Sequence, residues 1–399
     1  MAIPTRTQVG ILGAGPAGLT LAHLLRRAGI DCVILESRDQ AYVESRIRAG
    51  VLEQGTVELY RELGLAGRLD REGLVHHGIE IRYQGVGHRI AISELTGGRT
   101  ITVYGQQEVV KDLIASWKTL GDLFFEAEAL SVESAQSTEP VIRYRYEGEE
   151  RELRCDFVAG CDGFHGVSRQ AIPPASLREY IHDYPFGWVG ILAQVAPSTK
   201  ELIYARHERG FALHSLRSPE LSRLYVQCEP DDVIGNWSDR RIWDEMHARF
   251  ATPGWSLTEG PIIEKSITPM RSYVAEPMQY GRLYLTGDAA HIVPPTGAKG
   301  LNLAVADVSV LAHGLREFFA SGETRTLARY SEVCLRRVWK VMHFSWWMTS
   351  MLHNFPGDED GVQGRLQLAQ LEYVTSSRAA SESLAEQYVG LPFEEEPSP

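Results

Sequence analysis

A mixed α/β fold is what the sequence predicts, and three observations carry that prediction. An apolar, β-branched run (Val9, Ile11, Leu12) leads into Gly13-Ala14-Gly15-Pro16-Ala17-Gly18 and then into residues with helical spacing, the strand, glycine turn and helix of a βαβ unit. Between 186 and 227 the pattern shifts to short β-rich runs (188–195, 202–204, 211–216 and 224–227), as in a mainly antiparallel sheet. Beyond 300 the chain reads as helical almost to its end. The expected architecture is therefore a Rossmann-like dinucleotide-binding domain, an interleaved antiparallel β-sheet domain and a C-terminal helical region.

In the first unit each glycine has a separate task. Gly13 permits the tight turn, Gly15 lets backbone approach a pyrophosphate, and Gly18 lets the helix pack on its strand. Pro16 falls in the first helical turn, where its missing N–H costs nothing. Leu21, Leu24 and Leu25 recur at helical spacing and Gly29 offers a left-handed stop. The next apolar run, 32–35, ends in Glu36, at the distance where an acid accepts hydrogen bonds from an adenosine ribose. An acid there favours FAD or NAD over NADP at this site.

Further along, Arg46 and Arg48 precede a helix-like run, 51–63, and suit a pyrophosphate. A hairpin is expected over 79–92 around residues 84–87, and Tyr104-Gly105-Gln106 ends a strand before a helix over 108–117. A second hairpin, 141–146 with 153–159, turns at Glu147-Gly148 and runs into Gly160-Cys161-Asp162-Gly163 and on to Arg169. Two phosphate-type turns imply two nucleotides. Ser238 reads as the N-cap of a helix to 250. A third apolar strand, 283–285, is followed by Asp288 and by Pro294-Pro295-Thr296-Gly297-Ala298-Lys299-Gly300, then by a helix over 301–319. The N–H groups of Gly300, Leu301 and Asn302 at that helix start can face a flat anionic ring. The plain alternative for Asp288 is a helix cap. The tail, 394–399, reads as disordered.

Composition excludes several classes. The 399 residues are 44% hydrophobic and 23% charged, ordinary for a globular enzyme. The net charge of −12 argues against nucleic acid, so an anionic ligand must meet a local arginine cluster. Cys32, Cys155, Cys161, Cys228 and Cys334 are scattered without a C-x-x-C pair, supporting neither a disulfide framework nor a metal site. No secretory signal is visible at the N-terminus, and a cytoplasmic protein is expected. The run 341–355, with Trp346 and Trp347, is too short to span a membrane and is interrupted by His343, Ser345 and His353. It reads as a buried helix or as a contact in a homodimer.

The motifs GAGPAG, CDG (161–163) and GDAAH (287–291) fall in the order and spacing of the FAD-dependent aromatic monooxygenases, which the sequence resembles over nearly its whole length. IRAGVLEQG (47–55), VYGQ (103–106), AGCDGFHG (159–166), YPFGW (184–188), GDAAHIVPPTGAKGLNLA (287–304), FSWWMTS (344–350) and YVGLP (388–392) carry the resemblance. It implies segments 1–75, 104–180 and 271–320 around FAD, 76–103 and 181–270 around the substrate, and 321–399 as the helical region. It further implies that Gly13, Gly15, Gly18, Glu36, Arg46, Arg48, Gln106, Asp162, Arg223, Asp288, Gly300, Leu301 and Asn302 hold FAD. Arg223 would help the flavin ring move between a buried and an exposed position.

The implied reaction is hydroxylation of 4-hydroxybenzoate to 3,4-dihydroxybenzoate with molecular oxygen and NADPH, or NADH, through a flavin C4a-hydroperoxide. Arg217, helped by Ser215 and Tyr225, would clamp the carboxylate. Tyr204, bonded to Tyr388, would meet the phenol beside the Pro295 carbonyl, with His76 as the proton exit. Ser37, Arg38, Tyr42, Arg46, His165 and Arg271 would meet the pyridine nucleotide, and Ser37-Arg38 departs from the Arg-Gln of NADPH-using relatives. Taken alone, Arg217 would pass for a surface charge and each tyrosine for a core residue. A related hydroxybenzoate as substrate, a reductase or oxidase of the same fold, or a binding protein on this scaffold remain the alternatives.

Overall fold

A computed structural model describes residues 4–46, 50–358 and 361–393. Arg48 and the tail 394–399 lie outside the described residues.

The first βαβ unit follows from its sequence almost residue by residue. Arg6–Leu12 is a strand whose last residues are fully buried, Pro16–Arg27 is the helix with Pro16 at its start, and Gly29 takes a positive φ of 71°. Cys32–Leu35 is buried throughout and pairs in parallel with Arg6–Leu12, as crossover through a helix requires. Glu149–Gly160 pairs in parallel on the other side of Arg6–Leu12, and Leu283–Leu285 pairs in parallel beyond it. The hairpin of Val141–Tyr146 with Glu149–Gly160 turns on Glu147 and Gly148, both at positive φ, the signature of a type I′ turn.

A second sheet of eight strands among the described residues runs in the order His291–Ile292, Ile262–Glu276, Arg178–Ala193, Leu221–Cys228, Gly210–Ser218, Leu202–His207, Ile79–Tyr83, Val86–Ile90. It is antiparallel except where Leu202–His207 meets Ile79–Tyr83. Alternation gives it two apolar faces. On one, Val189, Ile191, Ile203, Ala212 and Leu224 pack on Trp243, Met246 and Phe250 of the Asp239–Phe250 helix, whose Ser238 cap accepts from the Arg241 N–H. On the other, Ile81, Trp188, Tyr204, Phe211 and Leu213 meet Phe344, Met348, Leu371, Leu384 and Tyr388 from the C-terminal helices. Three residues expected at the substrate, Tyr204, Tyr225 and Tyr388, gather at this second face.

Two local expectations shift, and one strand was not anticipated. The run 51–63 divides into a short strand, Val51–Leu52, and a helix, Gln54–Glu62, because Val51 pairs with Val103 and Glu53 is extended. The strand expected from 188 starts at Arg178. Pro185, which ends a strand pattern when read locally, is absorbed by a register shift between Asp183 and Gly187. Ile262–Glu276, which lacks a clear alternation, is a strand because it pairs along almost all of Arg178–Ala193. The helix containing Trp346 and Trp347 is Tyr330–Leu352, and no helix among the described residues is long and apolar enough to cross a membrane.

Candidate active site

The three glycine-bearing turns meet. A Cβ at Gly13, where φ is 98°, would lie 2.5 Å from the Cys161 carbonyl oxygen, so the first turn presses on the second. A Cβ at Gly18 would lie 2.0 Å from the Gly13 oxygen, and one at Gly287 would lie 3.0 Å from Ala304 Cβ. Only glycine permits the first two approaches, and Gly287 additionally takes a positive φ of 57°. Gly15 and Gly300 differ: a Cβ on either meets no heavy atom within 4 Å. Both stand at helix starts, Pro16–Arg27 and Gly300–Ser321, leaving open space in front of unbonded N–H groups. That cradle suits a pyrophosphate at one helix and a flat anionic ring at the other. The residues present therefore fit FAD.

Glu36 lies across the first turn, with Oε2 accepting from the Ala14 N–H at 2.8 Å and Oε1 from the Arg38 N–H at 2.8 Å. Its carboxylate is thus held at the strand end where a ribose would sit. Gln106 is the first residue of the Gln106–Trp117 helix. Asp288 is exposed on the short turn joining Leu283–Leu285 to His291–Ile292, so it marks the crossing between the two large sheets and caps no α-helix. Asp307 holds that crossing in place, accepting from the Gly287 N–H at 3.0 Å and bonding His291 Nε2 at 2.6 Å. Sequence reasoning missed Asp307, whose only signal was an acid on the inner face of an apolar helix.

Two predicted cofactor residues turn their side chains to the protein itself. Asp162 accepts from the N–H of Ser168 at 2.9 Å and from its hydroxyl. This turn ends in a three-residue 3-10 helix, Arg169–Ala171, not an α-helix with an anion-binding start. Asn302 accepts from the Glu53 N–H at 2.9 Å and donates to the Val51 carbonyl at 2.9 Å, leaving its backbone N–H for a ligand. Beside it Lys299, also missed, is buried, pairs with Glu53 at 2.7 Å and donates to the Tyr388 carbonyl at 2.9 Å. Burial pulls the Lys299 pKa down, and Glu53 opposes this.

On the second sheet, register aligns the predicted substrate residues. Leu213 lies opposite both Tyr204 and Tyr225, and Ser215 opposite Arg223, so these side chains share a face. Between Leu216 and Ser218 the register slips: Leu216 pairs with Ser222 and Ser218 with Leu221, leaving Arg217 as the extra residue of a bulge. Bulges re-aim side chains. Burial pulls the Arg217 pKa down, Tyr225 opposes this, and the nearby Arg223 adds to it. A guanidinium so placed gains from an arriving carboxylate. Arg223 donates to Tyr225 Oη at 3.3 Å, and Gly190, opposite Tyr225, leaves room for both, since a Cβ there would lie 3.0 Å from the Arg223 guanidinium.

Tyr204 and Tyr388 share a hydrogen bond between their hydroxyls although 184 residues separate them, and both are buried. Burial raises both pKa values, so neither ionises near neutrality on its own. His76 is buried, with neither ring nitrogen hydrogen-bonded among the described residues, and burial pulls its pKa down to about 4. The structure joins the two tyrosines directly but not His76 to them. Pro295 opens a short turn in which its carbonyl accepts from the Ala298 N–H at 2.9 Å, leaving one lone pair for a ligand.

The predicted pyridine-nucleotide residues form two groups. Ser37 and Arg38 border a hollow of about 370 Å³ with Glu126, Glu128, Arg145 and Glu147, and Arg38 lies over the Tyr42 ring at 5.2 Å. His165 packs edge-on to Phe164 at 5.1 Å, and Arg271 lies 5.8 Å from the same ring while bonded to Asp183. Arg46 is exposed at the end of the Gln40–Ser45 helix.

Residues 6–345 match the model of the FAD binding domain family. The chain is 47% identical over 391 residues to p-hydroxybenzoate hydroxylase of Acinetobacter baylyi, covering 98% of this chain and 96% of that one. It is 28% identical over 352 residues to a 3-amino-4-hydroxybenzoate 2-monooxygenase of Streptomyces platensis, covering 84% and 86%. Its fold matches the crystal structure of p-nitrophenol 4-monooxygenase from Pseudomonas putida with a TM-score of 0.83 at 18% identity, covering 97% and 99%.

Proposed function

Because the chain belongs to the FAD-binding family that includes p-hydroxybenzoate hydroxylase, we propose that it hydroxylates 4-hydroxybenzoate to 3,4-dihydroxybenzoate with NAD(P)H and molecular oxygen. The observation that carries this reading is that Tyr204 and the bulged Arg217 stand on neighbouring strands of one sheet, with Tyr388 of the Arg378–Val389 helix hydrogen-bonded to Tyr204. A para-hydroxybenzoate is an anion at one end and a weakly acidic phenol at the other, and this arrangement offers a cation for the first and a proton relay for the second.

Gly13, Gly15, Gly18, Glu36, Gln106, Asp288 and the start of the Gly300–Ser321 helix would hold FAD, which when bound would supply electron transfer and the activation of molecular oxygen. This chain's residues prepare the aromatic ring. Arg217, helped by Ser215 and Tyr225, takes the carboxylate. Tyr204 accepts the phenol proton as its own passes to Tyr388, which raises the electron density of the ring where oxygen is inserted. The proton released from Tyr388 would reach His76, which is not bonded to the tyrosines here, only through intervening water, and burial keeps the His76 ring neutral and able to accept it. Trp188, Phe211 and Leu213, all buried, keep water from the ring. Two copies of the chain, meeting through the exposed Trp339 and Trp346 of the Tyr330–Leu352 helix, form a cytoplasmic homodimer.

The deciding experiment measures NAD(P)H oxidation by the purified flavoprotein with hydroxybenzoate isomers and identifies the product by chromatography. We expect 4-hydroxybenzoate to stimulate flavin reduction and to yield 3,4-dihydroxybenzoate with one oxygen consumed per turnover. Stimulation by 3-hydroxybenzoate or salicylate but not by the 4-isomer overturns the assignment, and NAD(P)H consumption without any aromatic acid indicates a reductase.

Nucleotide choice follows from the hollow beside Glu36. Arg38 can make charge-assisted bonds to a 2′-phosphate, whereas Ser37 offers only a small neutral donor and three glutamates border the same space. The expected outcome is a moderate preference for NADPH over NADH. A larger specificity constant for NADH shows that the glutamates outweigh Arg38.

A further inference from the structure

We infer that His353 is a positioning residue of the substrate pocket, fixing the sheet wall of that pocket against the Pro295 loop through one tautomer of its ring. The inference rests on the proposed reading that the face bearing Tyr204, Ser215, Arg217 and Tyr225 receives the substrate.

His353 is fully buried just past the end of the Tyr330–Leu352 helix. Its Nδ1 lies 3.0 Å from the Thr349 carbonyl oxygen, and its Nε2 receives the indole N–H of Trp188 at 2.7 Å. A carbonyl can only accept and an indole N–H can only donate. The ring is therefore neutral, protonated on Nδ1 and bare on Nε2. A second proton would set two N–H groups against each other at 2.7 Å, and burial independently pulls the pKa down to about 3.

The ring also stacks on its neighbours. Its centroid lies 4.3 Å from Phe211, 4.6 Å from Phe186 and 5.7 Å from Trp188, the last with planes 6° apart. Trp188 in turn lies 5.0 Å from the ring of Tyr225, and Phe211 lies 6.2 Å from that of Tyr204. On the other side, the Thr349 hydroxyl donates to the Ser345 carbonyl at 2.7 Å and accepts from the Thr296 hydroxyl at 2.8 Å, next to Pro295. One continuous path thus runs from Pro295-Thr296 through Thr349 and His353 to Trp188 and Tyr225. The backbone at its centre is clamped twice: the Gln367 amide donates to the His353 carbonyl at 2.6 Å, and Gln227 bonds both the N–H and the carbonyl of Asn354. Such over-determination is what holds a ring in one orientation.

The test compares His353→Gln, which keeps an acceptor for the indole N–H, with His353→Leu, which does not, each alone and with Trp188→Phe. His353→Leu should weaken 4-hydroxybenzoate binding by about 5- to 10-fold, the scale of one buried hydrogen bond, and should divert turnover to hydrogen peroxide. His353→Gln should recover most of both, and the difference between Gln and Leu should vanish when residue 188 is Phe. A purely structural role would lower the melting temperature of both variants without that dependence on residue 188. If His353→Leu fails to fold, ¹⁵N spectra of the histidine-labelled holoenzyme decide: an Nδ1–H tautomer that does not titrate between pH 5 and 9 is expected. Wild-type binding and coupling in a folded His353→Leu variant, a Gln–Leu difference that survives Trp188→Phe, or an Nε2–H tautomer overturns the inference. Arg217→Ala serves as the control for the pocket itself. If it binds substrate normally, the pocket reading fails, whereas weakened binding there with an unaffected His353→Leu removes the positioning role alone.

Discussion

Tyr204→Phe is expected to bind 4-hydroxybenzoate and to pass electrons to the flavin, yet to return most of the consumed oxygen as hydrogen peroxide. The change removes one atom from a fully buried side chain and leaves the apolar wall of Trp188, Phe211 and Leu213 intact, so the pocket keeps its shape. It ends the hydroxyl contact with Tyr388, and with it the route by which the phenol can shed its proton inside a closed site. The expected loss in the hydroxylation step is about 10²- to 10⁴-fold, the range for one positioned proton-transfer partner. Because the two tyrosines act as a unit, Tyr388→Phe should add little to Tyr204→Phe. Product and peroxide yields per NAD(P)H check this. A variant that lost substrate binding but stayed coupled in its residual turnover would make Tyr204 a binding element instead.

Arg217→Ala is expected to weaken 4-hydroxybenzoate binding by about 2–5 kcal/mol, the range for truncating one partner of a desolvated, hydrogen-bonded charge pair. Every 1.4 kcal/mol is about tenfold in dissociation constant, so the loss is readable by a flavin titration. Flavin content should not change, because Arg217 belongs to the second sheet and the glycine turns to the first. Arg217→Lys should restore only part of the affinity, since an ammonium cannot reproduce the two-pronged contact of a guanidinium with a carboxylate. A dissociation constant equal to that of the wild type would show that the bulge aims Arg217 elsewhere.

How much of this was legible beforehand depends on how far apart the partners lie in the chain. The first βαβ unit was readable because its strand, turn, helix and acid lie within the span from Arg6 to Glu36, where β-branching, glycine φ and helical spacing act locally. The hairpin turns at Gln84-Gly85 and Glu147-Gly148 were readable for the same reason, both pairs standing at positive φ. The longest strands were not. Arg178–Ala193 runs through a proline that local rules treat as a stop, and Ile262–Glu276 has no alternation of its own; each is a strand because the other supplies its ladder.

The candidate site divides along the same line. By itself the sequence determined the glycines, the acid after the second strand and, through the motifs shared with the aromatic monooxygenases, the residues that ought to meet cofactor and substrate. Only the tertiary structure decided that Arg217 occupies a bulge, that Tyr204 finds Tyr388, and that Asp307 restrains the turn carrying Asp288. It also decided which neutral form His353 takes and that Lys299 and Glu53 are buried as a pair. The physical reason is that a buried polar group must find its partner across whatever chain separation the packed sheets and helices create, and sheet register, unlike helical spacing, is settled between segments rather than within one.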